Sequence, residues 1–100
     1  MTNLTSFYTA QQNVTTSGTP VRLTAQSVPE GVSVLLKAKP ANTGNITVGN
    51  SSSNALNTGT GFFRLEPGQS VTLEVTNVNL IWCDATVSGE GVEIFLEQSA

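Results

Sequence analysis

The feature that most constrains this fold is a run of short apolar alternations between Val32 and Val75, separated by residues that favour turns. Successive side chains of a β-strand point to opposite faces, so residues at every second position share a face. No part of the run repeats with a helical period. Because two facing sheets would bury both apolar sets, the pattern predicts an all-β, antiparallel β-sandwich. The side chains that share a face are Val32, Val34, Leu36 and Ala38 in one segment, and Val71, Leu73 and Val75 in another.

Along the rest of the chain, apolar alternation and turn residues predict further short strands, joined by turns rich in Gly, Pro, Asn and Ser. Short strands with a turn signal about every ten residues are typical of an antiparallel sandwich. A jelly roll needs eight strands, and the N-terminal segment would have to supply one of them. The pattern leaves the choice between a jelly-roll and an immunoglobulin-like topology open. The predicted strands are residues 21–26, 32–39, 46–48, 62–65, 70–75, 80–87 and 92–96.

The first twenty residues form a separate, uncharged segment in which twelve residues are Ser, Thr, Asn or Gln. Such a segment buries too little apolar surface to offset an ordering cost of about 1–2 kcal/mol per residue. We expect either a disordered tail or an extended arm that orders against a neighbouring subunit, and the adjacent Phe7 and Tyr8 favour the arm. The predicted organisation is therefore an N-terminal arm over residues 1–20 and a β-sandwich domain over residues 21–100.

The composition excludes several functional classes. Ser, Thr, Asn and Gln together number 38 and charged residues only 11, with a net charge of −3. The four basic residues, Arg22, Lys37, Lys39 and Arg64, are too few and too scattered for the basic stripe that nucleic acids require. The chain has no histidine and one cysteine, so imidazole metal sites, Ser-His-Asp triads, intrachain disulfides and cysteine metal clusters are excluded. We predict no metal and no cofactor.

Few residues are candidates for catalysis. Glu90 and Glu93 form a carboxylate pair of the kind that a glycosidase needs, but Glu93 alternates with Val92 and Ile94 and fits a solvated strand face. Cys83 lies in an alternating apolar set and lacks a base, so we expect a buried structural thiol rather than a nucleophile. The sequence therefore predicts a non-enzymatic protein without catalytic residues.

The ends and the hydropathy of the chain bear on its location. Its start has neither a basic region nor an apolar run, so no signal peptide is predicted. No segment approaches 18 consecutive apolar residues, so we expect no membrane span and no membrane partner. The expected place of synthesis is a cytoplasm.

The aromatic residues are the most informative candidates for a binding surface. If the apolar neighbours of Trp82 and Phe95 point inward, both aromatic side chains point outward. Successive strands usually pair, which would bring these two rings close together on one outer face. Together with Phe7 and Tyr8 they are the candidates for a subunit interface, where aromatic residues are enriched. Two alternatives stay open: a reversed register that buries the rings, and a platform on which sugars stack.

Five segments resemble small structural proteins of tailed bacteriophages: 34–38 (VLLKA), 42–49 (NTGNITVG), 65–70 (LEPGQS), 81–85 (IWCDA) and 88–91 (SGEG). The resemblance covers about two thirds of the chain. It implies a β-sandwich on a virion, commonly a head decoration, or cement, protein that bridges capsid subunits. Such proteins are often homo-oligomers, and the resemblance favours a trimer.

The resemblance implies the major capsid protein as a partner and the capsid surface as the location, after synthesis in the host cytoplasm. It carries over no catalytic or ligand-binding residues. The alternative function is a carbohydrate- or receptor-binding module of a phage tail or head fibre.

Overall fold

The computed structural model describes residues 4–98, in which strands predominate and are joined by turns and irregular loops. The all-β class is therefore confirmed. No helix within residues 4–98 is both long enough and apolar enough to cross a membrane. The elements are β1 (Ser6–Asn13), β2 (Val21–Arg22), β3 (Val34–Ala38), β4 (Ile46–Gly49), α1 (Ser52–Ala55), β5 (Phe63–Leu65), β6 (Ser70–Leu73), a 3-10 turn (Val78–Leu80), β7 (Trp82–Ala85) and β8 (Gly91–Gln98).

The strands form two four-stranded antiparallel sheets. The first sheet has the order β1-β8-β3-β6 and the second the order β2-β7-β4-β5. The first strand of the chain thus pairs with the last, the second with the seventh, the third with the sixth and the fourth with the fifth. As a consequence β7 and β8, which follow each other in the chain, lie in different sheets.

Side chains from both sheets form one hydrophobic cluster, which is the core of the molecule. Val34, Leu36 and Ala38 of β3 are fully buried in it, as the alternation predicts. The alternating set around β6 packs against the core with its side chains partly buried. The remaining members of the buried cluster are Val14, Leu23, Ile46, Val48, Leu65, Val78, Ile81, Cys83, Ala85, Val92, Ile94 and Leu96.

The arm predicted for residues 1–20 is not confirmed, because residues 6–13 form β1 and pair along their whole length with β8. Every second side chain of β1 is half-buried, starting with Ser6, and those between are exposed. Tyr8 and Ala10 pack against the core. Residues 1–3 of the predicted arm and residues 99–100 of the predicted domain lie outside the described residues. The division of the chain at residue 20 stays a prediction.

The polar loop over residues 49–61 covers the outer face of the second sheet. Thr47 faces away from the core, and its hydroxyl donates a hydrogen bond to the carbonyl of Ala55 in α1 at 2.6 Å. The backbone N–H of Asn57 donates to the carboxylate of Asp84, on the same face, at 2.9 Å. The side chain of Ser51 caps α1 by accepting from the N–H of Asn54. The second sheet is therefore covered on this side by its own loop.

Candidate interaction surface

The outer face of the first sheet carries an exposed aromatic pair. Phe7 of β1 is 62% exposed and Phe95 of β8 is 38% exposed. Their ring centroids lie 5.5 Å apart and their planes are tilted by 32°. Alternation places Thr9, Gln11, Glu93 and the β3 residues Leu35 and Lys37 on the same side. We call this set of seven outward-facing residues the aromatic face.

A shallow groove of about 440 Å³ runs across the aromatic face. In register, Phe95 stands between Thr9 and Leu35, while Glu93 stands between Gln11 and Lys37. The first row (Thr9, Phe95, Leu35) is largely apolar, and the second row (Gln11, Glu93, Lys37) is polar and can donate and accept hydrogen bonds. This combination can form the centre and rim of a protein contact, or hold a ring-shaped polar ligand. The lining residues are Thr9, Ala10, Gln11, Leu35, Lys37, Glu93, Ile94 and Phe95.

The structure separates the four aromatic candidates. Phe7 and Phe95 lie together, whereas Tyr8 points inward and packs against the core. The prediction that Trp82 lies near Phe95 is wrong, because β7 and β8 belong to different sheets. The Arg22 guanidinium lies 5.9 Å from the centroid of the half-buried Trp82 ring on the second sheet. The role of these four residues in a subunit interface stays a prediction.

Asp84 faces away from the core, as the alternation predicts, but it is fully buried beneath loops. Its Oδ1 accepts from the N–H of Gly18 at 3.0 Å and from that of Ala85 at 2.8 Å, and its Oδ2 accepts from Asn57. The carboxylate thus joins two loops to β7. The sequence gives no clear signal for this role, since an acidic residue between Cys83 and Ala85 also fits an exposed strand face.

Glu90 and Glu93 have different neighbours. The Glu90 carboxylate accepts from the N–H and hydroxyl of Thr43, at 2.6 and 2.9 Å, and from the N–H of Gly44 at 2.9 Å. The Thr43 N–H, then the Gly44 N–H and the Thr43 hydroxyl, lower the pKa of Glu90. Glu93 lies on the aromatic face, opposite Gln11 and Lys37. Glu90, which directly precedes β8, therefore holds the turn that contains Thr43 and Gly44 against the start of this strand. This role was not predicted from the sequence.

Cys83 is buried in the core, as predicted. Burial, followed by the neighbouring charge of Asp84, raises the pKa of its thiol to about 12. The thiol is therefore protonated and unreactive at neutral pH in the folded protein. Across residues 4–98, no three or more His, Cys, Asp and Glu side chains cluster in a way that could hold a metal ion.

A second apolar cleft of about 240 Å³ lies beside Phe63 of β5 and Leu73 of β6. Phe63 is 57% exposed and Leu80, which also lines the cleft, is 44% exposed. The cleft lacks the polar row that accompanies Phe95. We therefore regard the aromatic face as the better candidate for a specific contact.

No protein-family model, curated protein or solved structure matches this chain. Its function has to be inferred from its own residues and geometry.

Proposed function

We propose that the chain is a non-enzymatic structural protein of a phage particle, which binds other protein subunits through the aromatic face. The observation that carries this proposal is the Phe7–Phe95 pair, exposed on a sheet that its own loops leave open. Apolar surface in water costs roughly 25 cal/mol per Å². A contiguous exposed patch on a small protein commonly marks a binding site, because association removes that cost.

We infer that the two sheets face each other as a β-sandwich with jelly-roll topology. The pairing of first with last strand, second with seventh, third with sixth and fourth with fifth supports this, since a long hairpin rolled up into two sheets gives that order. The single core shared by both sheets also supports it. Jelly rolls occur in viral capsid and lectin domains, so this topology is consistent with a capsid protein and with a carbohydrate-binding module and does not decide between them.

The proposed mechanism is that of a decoration protein on the capsid surface. Bound across neighbouring copies of the major capsid protein, it adds interface area at many symmetric sites. Each site needs only modest affinity if the protein is an oligomer that engages several subunits at once. Self-association is part of the proposal, and the trimer that the resemblance favours is the starting hypothesis for its number.

The proposal is tested by adding purified protein to particles that lack it. We expect the wild-type protein to bind and to raise the temperature at which the heads rupture. Phe95→Ser should weaken binding by about tenfold or more, since truncating a central aromatic contact commonly costs over ~1.4 kcal/mol. Phe63→Ser is the matched control, because Phe63 is also a phenylalanine and is more exposed than Phe95, at 57% against 38%, but lies on the second sheet. Failure of the wild type to bind, or equal loss in both variants, would contradict the proposal.

The second candidate is a carbohydrate-binding module, which the polar row beside Phe95 favours. Sugar rings stack on aromatic side chains while Gln11, Lys37 and Glu93 could hydrogen-bond their hydroxyls. A glycan that binds the wild type and not Phe95→Ser, in the absence of any capsid protein, would support this candidate instead.

A further inference from the structure

β1 lies at the end of the first sheet, with β8 on one side of it. The N–H of Lys39 donates to the carbonyl of Gly91 at 3.1 Å, so odd-numbered residues of β8 direct their backbone groups towards β3. The N–H of Val14 donates to the carbonyl of Glu90 at 2.8 Å, so even-numbered residues of β8 and β1 face each other. This alternation leaves the odd-numbered residues of β1 with their N–H and C=O groups directed away from the sheet.

The residues concerned are Phe7, Thr9 and Gln11. Within residues 4–98 no strand lies beyond β1 to pair with them. Their backbone groups form a regular row of donors and acceptors along an exposed edge. Such a row is a template for pairing with another strand.

β1 differs from the three other strands that end a sheet. β2 has two residues and includes Arg22, β5 has three and includes Arg64, and β6 has four. Short length and edge charges are two ways in which proteins prevent edge-to-edge pairing. β1 has eight residues (SFYTAQQN) without a charge, a proline or a glycine. It is therefore the one end strand among residues 4–98 that has none of these protections.

We propose that β1 pairs with β1 of a second copy of this chain, antiparallel about a two-fold axis, so that two first sheets become one continuous sheet. A two-fold contact uses the same surface on both copies, and an uncharged strand meets its copy without like charges opposite each other. Backbone groups of both strands are then satisfied along the whole contact.

The side-chain alternation restricts the register of this pairing. A shift by one residue would place the half-buried face of one strand against the exposed face of the other, so odd residues must pair with odd residues. Pairing centred on Thr9 sets Thr9 against its own copy and Phe7 against Gln11. It also leaves Asn13 outside the contact, where its carbonyl accepts from the Gln12 side chain at 2.9 Å.

The contact goes beyond the proposed function and does not depend on it. It uses the backbone edge of β1, whereas the aromatic face is made of side chains on the broad side of the sheet. It also yields an even number of subunits, where the resemblance alone favours three. If both contacts form, the β1 edge joins two assemblies, and the subunits within each assembly are held together through the aromatic face.

Sedimentation of charge variants tests the contact. Thr9 is exposed, so Thr9→Lys and Thr9→Glu should fold as the wild type does. The wild type should sediment as a dimer, or as an even-numbered oligomer, at about 100 μM. Each variant alone should lose the edge contact, because like charges meet at the axis, and an equimolar mixture should regain it. A wild type without this association, or variants that associate as the wild type does, would overturn the proposal.

A pair of proline variants tests the hydrogen-bond pattern itself. Thr9→Pro removes an N–H that points away from β8 and should abolish dimerisation with little change in the melting temperature of the monomer. Ala10→Pro removes an N–H that bonds to β8 and should lower the melting temperature. Dimers of Thr9→Pro would overturn the proposal, and so would its unfolding, which would place the Thr9 N–H in the β8 ladder.

Discussion

Asp84 shows how one buried carboxylate can fix two loops that are rich in Ser, Thr, Asn and Gly. Gly18 and Asn57 lie on separate loops, and each donates its N–H to the same carboxylate. Asn57 adds hydrogen bonds from its side chain to the Ser17 hydroxyl and to the Ala85 carbonyl, at 3.1 and 2.7 Å. These contacts hold the loops against β7, and with them the cover of the second sheet.

Asp84→Asn should destabilise the protein by about 2–3 kcal/mol, because the new amide must point a donor at the N–H of Asn57, or at those of Gly18 and Ala85. Chemical denaturation monitored by tryptophan fluorescence measures the loss. Glu97→Gln, the same chemical change at an exposed position on β8, should change stability very little. A stability equal to that of the wild type would show that the carboxylate does not hold these loops.

Glu90 should make stability depend on pH. Because its pKa is lowered in the folded state, its stabilisation is fully present above the unfolded pKa of a glutamate and is lost as pH falls through the folded pKa. Glu90→Gln should therefore be less stable than the wild type at neutral pH, and the difference should shrink in acid. Paired melting curves from neutral to acidic pH measure it. A difference that stays constant with pH would mean that the charge of Glu90 is not involved.

The strands predicted from the sequence include most of the observed strands but not β1. Period-two alternation is clear where the inward residues are apolar, as at Val34 and Leu36, and those residues are fully buried. In β1 the alternation is the same, but half-buried positions at its two ends hold Ser6 and Gln12. The alternation of β1 could not be recognised in the sequence, because half-buried positions near the ends of a strand tolerate polar side chains.

The closeness of β1 to β8 gives a prediction for this element. A Cβ atom at Gly91 would meet the carbonyl oxygen of Gln12 and lie 2.7 Å from the Cα of Asn13. Gly91→Ala should therefore push β1 away from β8 and destabilise the protein by about 1–3 kcal/mol. Gly59→Ala is the control, since the nearest atom to its Cβ, the carbonyl oxygen of Leu56, is 3.3 Å away. Hydrogen exchange should rise in β1 of Gly91→Ala alone, and unchanged protection there would contradict this packing.

The sequence predicted which side chains of β7 and β8 face outward, but not which strands are neighbours in the two sheets. Trp82 and Phe95 both point away from the core, yet they lie on different sheets. Alternation tells which face a side chain occupies, whereas the choice of partner strand depends on long-range pairing that no local pattern contains. The position of the candidate surface could therefore not be predicted, although Phe7 and Phe95 were among the four aromatic candidates.

The two sheets differ in their cover, and this difference underlies the proposed function. The loop with α1 covers the second sheet, while the first sheet leaves Phe7 and Phe95 in water. Because exposed aromatic area is removed from water by association, we expect the first sheet to be the side that meets other proteins.

The proposed function requires the chain to decorate a capsid and to bind neighbouring capsid subunits through the first sheet. A cryo-electron microscopy map of the particle from which the chain comes tests it most directly. We expect density for the eight-stranded fold on the outside of the head, with Phe7 and Phe95 against protein and α1 facing away. A map that places the chain on a fibre, or on the head with Phe7 and Phe95 facing solvent, would contradict it.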